Sequence, residues 1–236
     1  MILLLLACAA LHDKSDAGAD TAAEAETGLR FSFPLDTPAL FQQVIGVDHD
    51  PVVQEPGIAE LQCTDYLGRA FPNCYDEHDG TDFVLKGGFT QMDEASPFVL
   101  AAAPGTVIAT EDGHYDRCHS DASIGDVSCD GYDGIANSVV MAHADGSRTL
   151  YWHLKEGSVA VTVGTVLDRG AVLGQVGSSG YSSMPHLHFE VQGADELPVD
   201  PYAGPHSQPE SRWCEQGSPE GLPGPCPVDE DETNDD

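Results

Sequence analysis

The sequence predicts a mainly β fold built on an antiparallel sheet, and three observations carry that prediction. Short runs alternate apolar with polar residues, most clearly His186-Leu-His-Phe-Glu-Val-Gln192, as a strand requires when successive side chains point to opposite faces. Turn signals separate these runs, among them Asp145-Gly146 and the glycines at 164, 170 and 174. Windows with helical periodicity are nearly absent.

Taken in order, residues 1–8 (Met-Ile-Leu-Leu-Leu-Leu-Ala-Cys) look like the end of a secretory signal, and Leu5-Leu6-Ala7-Cys8 resembles a lipobox with Cys8 as the lipid anchor. Residues 9–28 are small and acidic without periodicity and are expected to form a disordered linker. Residues 29–62 carry apolar clusters at Phe31, Phe33, Leu40 and Phe41 and are expected to be an irregular extension wrapped on the main domain, which is assigned to 63–203. Within it, 99–110 forms two short strands around Pro104-Gly105, 137–154 forms a hairpin, and 159–176 adds further short strands. Residues 204–236, rich in Pro and Gly and then almost wholly acidic, are expected to be a solvated, mobile tail.

Composition narrows the function. Forty Asp and Glu against nine Lys and Arg give a net charge of −31, which excludes nucleic acid and an anionic membrane surface as partners. No run approaches the ~20 apolar residues of a membrane-spanning helix. Apart from Cys8, six cysteines remain in three local clusters, which suggests the disulfides 63–74, 118–129 and 214–226 in an exported protein. No Cys-x-x-Cys is present, so a zinc ribbon is not expected.

The chemistry concentrates in the strand at 186–192. His186, His188 and Glu190 share one face, while Leu187, Phe189 and Val191 share the core face. Upstream, His78-Asp-Gly-Thr-Asp82 places an imidazole and a carboxylate four residues apart, and Gly80 supplies the bend that brings them together. Two imidazoles and a carboxylate with an open fourth position form a donor set suited to catalytic Zn²⁺. The spacing alone leaves open which of His186 and His188 would touch the metal. His153, at the end of a hairpin strand, is a further candidate.

Three motifs, His78-x-x-x-Asp82, Tyr151-x-His153-Leu and His186-Leu-His188-Phe-Glu, together with Pro104-Gly-Thr-Val-Ile-Ala and Gly174-Gln-Val-Gly-Ser-Ser-Gly, resemble the lysostaphin/LytM-type peptidases of the M23 family. The resemblance spans about 78–192. It implies a compact antiparallel β-sheet domain with a groove over the metal. It also implies Zn²⁺ on His78, Asp82 and His188, with His153 and His186 catalytic. The implied activity is a zinc endopeptidase, monomeric, in the cell envelope or outside the cell, acting on peptidoglycan peptides. The alternative is a LytM-like module without enzymatic activity that regulates a cell-wall amidase. Glu190 is a candidate to orient a histidine, against a solvent-facing salt bridge. Two additions, 86–98 and 114–134, depart from the family pattern and are candidate groove walls. Asp126, Asp130 and Asp133 in the second are a weak calcium candidate, and His114, His119 and His143 are expected at the surface.

Overall fold

The computed structural model describes residues 29–53 and 62–227. The lipobox at Cys8, the linker over 9–28 and the acidic run over 229–236 lie outside the described residues. The fold is mainly β. Its strands are β1 (Phe41–Ile45), β2 (Thr81–Leu85), β3 (Phe98–Leu100), β4 (Gly105–Glu111), β5 (His119–Asp121), β6 (Asp126–Ser128), β7 (Ser138–Ala142), β8 (Arg148–Trp152), β9 (Val166–Leu167), β10 (Val172–Gln175) and β11 (His186–Gln192). Among the described residues the helical elements are a 3₁₀ turn (Pro38–Leu40) ahead of β1 and one short α-helix, α1 (Gly88–Ala95), between β2 and β3.

Seven strands form one antiparallel sheet in the order β1-β2-β11-β8-β7-β4-β9. Two ribbons, β3–β10 and β5–β6, lie beside it. The period of two explains why β11 sits well inside the sheet. Leu187, Phe189 and Val191 enter the core with Phe83 and Leu85 of β2, Tyr151 of β8, and Val139 and Met141 of β7. Each such side chain contributes about 1.5–3 kcal/mol by leaving water. A one-residue slip of β11 would exchange that face for His186, His188 and Glu190. Core burial therefore fixes which residues face the site.

The three disulfides are Cys63–Cys74, Cys118–Cys129 and Cys214–Cys226, the local pairs that the clustering suggests. Three segments differ from expectation. The stretch from 29 onward is not irregular throughout, because β1 pairs along β2 and forms the sheet edge. The addition at 86–98 holds α1, whose Met92 is buried and whose N-terminus follows Gly87 in the left-handed conformation (φ +87°) with no capping side chain. So short a helix without a cap leaves little periodic signal.

The largest difference is at the C-terminal end. Residues 204–227 are not a solvated tail, since Trp213 is fully buried with its ring 5.4 Å from Phe189 and 6.4 Å from Phe31. Phe31 N–H donates to the Arg212 carbonyl (2.7 Å) and Cys214 N–H donates to the Phe31 carbonyl (2.9 Å). A single aromatic anchor and a disulfide hold a stretch whose Pro and Gly content offers no strand or helix pattern.

Candidate metal centre

The site is assembled by strand register. His188 on β11 lies directly opposite Asp82 on β2 and Trp152 on β8. Directly paired residues on one face bring their Cβ atoms to about 5 Å, so Asp82 and His188 meet without any loop. His78 precedes β2 and folds back over it. Gly80 makes that approach possible, because a Cβ there would lie 2.6 Å from His188 Cε1 and Nε2 and 2.9 Å from the Phe189 carbonyl. Its value is the space it leaves as much as the bend expected from sequence.

Three atoms converge. His78 Nε2 lies 3.3 Å from Asp82 Oδ1 and 3.2 Å from His188 Nδ1, and His188 Nδ1 lies 2.9 Å from Asp82 Oδ1. His78 Nδ1 is 2.7 Å from the Gly46 carbonyl, which can only accept, so Nδ1 carries the proton and Nε2 presents its lone pair. On the far side of the His188 ring, Nε2 faces the Glu190 carboxylate at 3.8 Å. Glu190 is buried and also accepts from Gln192 (2.8 Å), so it backs His188 rather than facing solvent. Bonds of ~2.0–2.1 Å to a tetrahedral ion put ligand atoms about 3.3 Å apart. The three separations fit that edge length, so the three atoms could hold one metal ion. The donor set fits zinc. Among the described residues, this is the one group of three or more His, Cys, Asp or Glu whose ligand atoms converge.

Two more imidazoles border this cluster. The rings of His153 and His186 are 4.5 Å apart, the His153 and His188 rings are 5.9 Å apart, and His186 Nε2 is 3.5 Å from Asp82 Oδ1. Both outer nitrogens rest on carbonyls: His153 Nδ1 on Ser179 (2.7 Å) and His186 Nδ1 on Met184 (2.7 Å). Each therefore carries a proton at Nδ1, and Nε2 is the nitrogen left facing the cluster. His153 holds a left-handed backbone conformation (φ +65°), costly for a residue with a Cβ and common where function demands it.

Burial and charge set the protonation of the metal-free cluster. Burial opposes charge on Asp82, but His78, His186 and His188 outweigh it and hold the carboxyl well below its usual range. Burial also works against His188, yet Asp82 and Glu190 raise its pKa to about 9. Burial, reinforced by His186 and His188, holds His153 well below the ordinary histidine value.

All five residues singled out in the sequence, His78, Asp82, His153, His186 and His188, come together in one buried cluster. What the three histidine motifs do not specify are the backbone acceptors Gly46, Ser179 and Met184, the Trp152 ring 5.7 Å from His188 and the Tyr75 ring 4.3 Å from His78. Backbone carbonyls leave no sequence signature. Aromatic residues next to Cys74 and His153 were the available hint. The remaining histidines of the additions and hairpin stand apart from the cluster. His114 pairs with Asp133, and His119 bonds the Arg117 carbonyl. His143 is not a surface residue but is buried against the Pro104 carbonyl and Thr149 Oγ1. The weak calcium candidate gains no support among the described residues. Asp126, Asp130 and Asp133 do not converge, each being engaged by a separate side chain, Tyr181, Tyr115 and His114.

The model of peptidase family M23 matches residues 76–201, more than half of the chain. The DD-carboxypeptidase/endopeptidase Mpg of Neisseria meningitidis serogroup B is 46% identical over 68 residues, covering 29% of this chain and 15% of that protein. The glycyl-glycine endopeptidase ALE-1 of Staphylococcus capitis is 37% identical over 75 residues, covering 31% of this chain and 20% of that protein. The aligned part thus spans a fifth or less of these curated relatives. A zinc-containing peptidase from Vibrio cholerae aligns in structure at a TM-score of 0.44 with 23% identity, over 72% of this chain and 39% of that one. On the family match, which takes in every residue of the cluster, the chain belongs to peptidase family M23.

Proposed function

We propose that the protein is a zinc metalloendopeptidase of the bacterial cell envelope that hydrolyses peptide bonds in peptidoglycan stems or cross-links, acting as a monomer. The observation that carries this reading is the meeting of His78 Nε2, Asp82 Oδ1 and His188 Nδ1 beside two imidazoles whose Nδ1–H groups rest on carbonyls. His78, Asp82 and His188 would hold the ion. When bound, zinc supplies a Lewis acid that polarises a peptide carbonyl and acidifies water.

The chain's own groups do the rest. His153 and His186 take and return protons through Nε2, while their Nδ1–H groups stay on carbonyls and keep the rings oriented. No His-Glu-x-x-His motif is present, so no helix-borne glutamate competes for the role of base. The low proton affinity of His153 keeps it neutral near pH 7, as a base requires. The relatives named for endopeptidase activity support the substrate class, and three disulfides fit an oxidising compartment outside the cytoplasm. Among the described residues no helix is long and apolar enough to cross a membrane. A lipid anchor at Cys8 would tether the domain to the envelope.

The test measures bound zinc and peptide release from purified peptidoglycan for wild type, His188→Ala and His153→Ala. Wild type binds about one zinc and cuts. His188→Ala loses the metal, whereas His153→Ala keeps it and loses about 10²–10⁴-fold in rate. A wild type that holds zinc yet cuts no peptidoglycan would move the amidase regulator ahead.

A further inference from the structure

The addition at 114–134 does more than border the site. It runs beside the loop from Gly177 to Met184 that leads into β11, and the two are stitched by backbone hydrogen bonds. Ser178 N–H donates to the Asp116 carbonyl (3.1 Å), Cys118 N–H to the Ser178 carbonyl (2.9 Å), and Ser120 N–H to the Ser183 carbonyl (3.0 Å).

A chain of hydroxyls crosses this seam toward His186. Ser178 Oγ donates to the Cys118 carbonyl at 2.7 Å. Ser182 Oγ lies 2.8 Å from Ser178 Oγ, and since the single Ser178 proton is committed to Cys118, Ser182 is the donor in that pair. The Ser182 proton lies between Ser178 Oγ and the Met184 carbonyl (2.9 Å). In either position Ser182 keeps a lone pair for His186 Nδ1, 3.2 Å away. The His186 Nδ1–H is thus shared between Met184 and Ser182. Both serines are fully buried. Because a carbonyl only accepts, the two ends of the chain are fixed, with the imidazole donating at Met184 and Ser178 donating at Cys118.

The geometry points to Ser182 and Ser178 as positioning residues that hold His186 in its Nδ1-protonated form, with the Cys118 carbonyl as last acceptor and the Cys118–Cys129 disulfide as the latch that keeps it in place. Its bearing on catalysis rests on the role proposed for His186. A merely structural seam would be served by the backbone bonds alone. The buried hydroxyls add what those bonds cannot, a second acceptor for the His186 Nδ1–H beside the Met184 carbonyl.

The experiment compares the zinc-loaded full chain as wild type, Ser182→Ala, Ser182→Thr, Ser178→Ala and the double variant Cys118→Ser/Cys129→Ser. Nitrogen-detected NMR reads the imidazole tautomers. His143, held by Pro104 and Thr149 away from the seam, reports folding. Wild type shows the proton on Nδ1 of His186. Ser182→Ala, Ser178→Ala and the double variant show a mixed tautomer there, with His143 and bound zinc unchanged. On peptidoglycan they lose about tenfold in kcat with KM little changed, and Ser182→Thr recovers most of it. A wild-type His186 protonated on Nε2 overturns the assignment. So does an unchanged His186 signal in the three disruptive variants. If wild type cuts no peptidoglycan, the peptidase reading falls, and the imidazole signals still judge the relay.

Discussion

The site has two sides built by different means. On the side proposed to hold the metal, Asp82 and His188 are neighbours across paired strands, and the alternation of β2 and β11 delivers both. On the side proposed for proton transfer, His153 leaves the end of β8 in a left-handed conformation, and both His153 and His186 are aimed by carbonyls of the loop over 177–184. One side is set by register and the other by loops. Register is over-determined by core burial, so the metal side should respond to steric insult and hardly to loop changes. The loop side should show the reverse.

The strongest way to break that contrast is Gly80→Ala. The added methyl would lie 2.6 Å from the His188 ring and 2.9 Å from the Phe189 carbonyl. The carbonyl belongs to β11 and cannot yield without loss of register, so the ring must move. We expect zinc affinity to fall by roughly 100-fold, the upper end for lesions that disorient a ligand, with activity lost in proportion. Competition with a chelating indicator checks it. Unchanged affinity would mean that the close approach of Gly80 to His188 is not what holds the ligand.

The two sides also differ in how much of them the sequence disclosed. His-x-His on an alternating strand announces its shared face through spacing alone, and the same alternation assigned Leu187, Phe189 and Val191 to the core. His78 and Asp82 are legible as a pair, but the carbonyl that orients His78 belongs to Gly46, which lies outside the family match and carries no side chain to notice. Trp213 shows the limit from the other direction. A Pro- and Gly-rich stretch has no period, so nothing local says that its one tryptophan fills the floor beneath Phe189. Contacts between residues far apart in sequence, made by irregular backbone, are what pattern cannot supply. The additions at 86–98 and 114–134 meet in this way, through the Arg117 guanidinium donating to Asp93 (2.6 Å) and lying over the Phe89 ring.

A smaller lesion sharpens the contrast within the metal side itself. Three of the four site histidines rest an outer nitrogen on a carbonyl, whereas His188 turns its Nε2 to the Glu190 carboxylate. Carboxylate backing raises the basicity of an imidazole ligand. Glu190→Gln keeps the shape and removes the charge. We expect about tenfold weaker zinc binding and an unchanged rate per bound zinc. A fall in rate at full zinc occupancy would instead place Glu190 on the proton-transfer side.

The smallest effect lies in how stability depends on pH in the metal-free protein, where the two sides carry opposite signs. Burial works against the charged form of His188, but Asp82 and Glu190 prevail and raise its pKa to about 9. The folded state therefore binds its proton more tightly than the unfolded chain, whose histidine titrates near ~6.5. That contribution is complete below pH ~6.5 and is lost as pH rises toward about 9. His153 is depressed by burial and by its neighbouring imidazoles, so the unfolded chain takes up the proton first. Its neutral form stabilises the fold above pH ~6.5, and that contribution is lost as pH falls below it. Denaturant midpoints at about pH 5.5, 7 and 9, on either side of the unfolded histidine value, separate the two in chelator-treated protein. His153→Ala should flatten the acid limb and leave the alkaline limb, and His188→Ala should do the opposite. If both variants flatten the same limb, the two imidazoles titrate as one unit and the division into sides fails for protons, even where it holds for zinc.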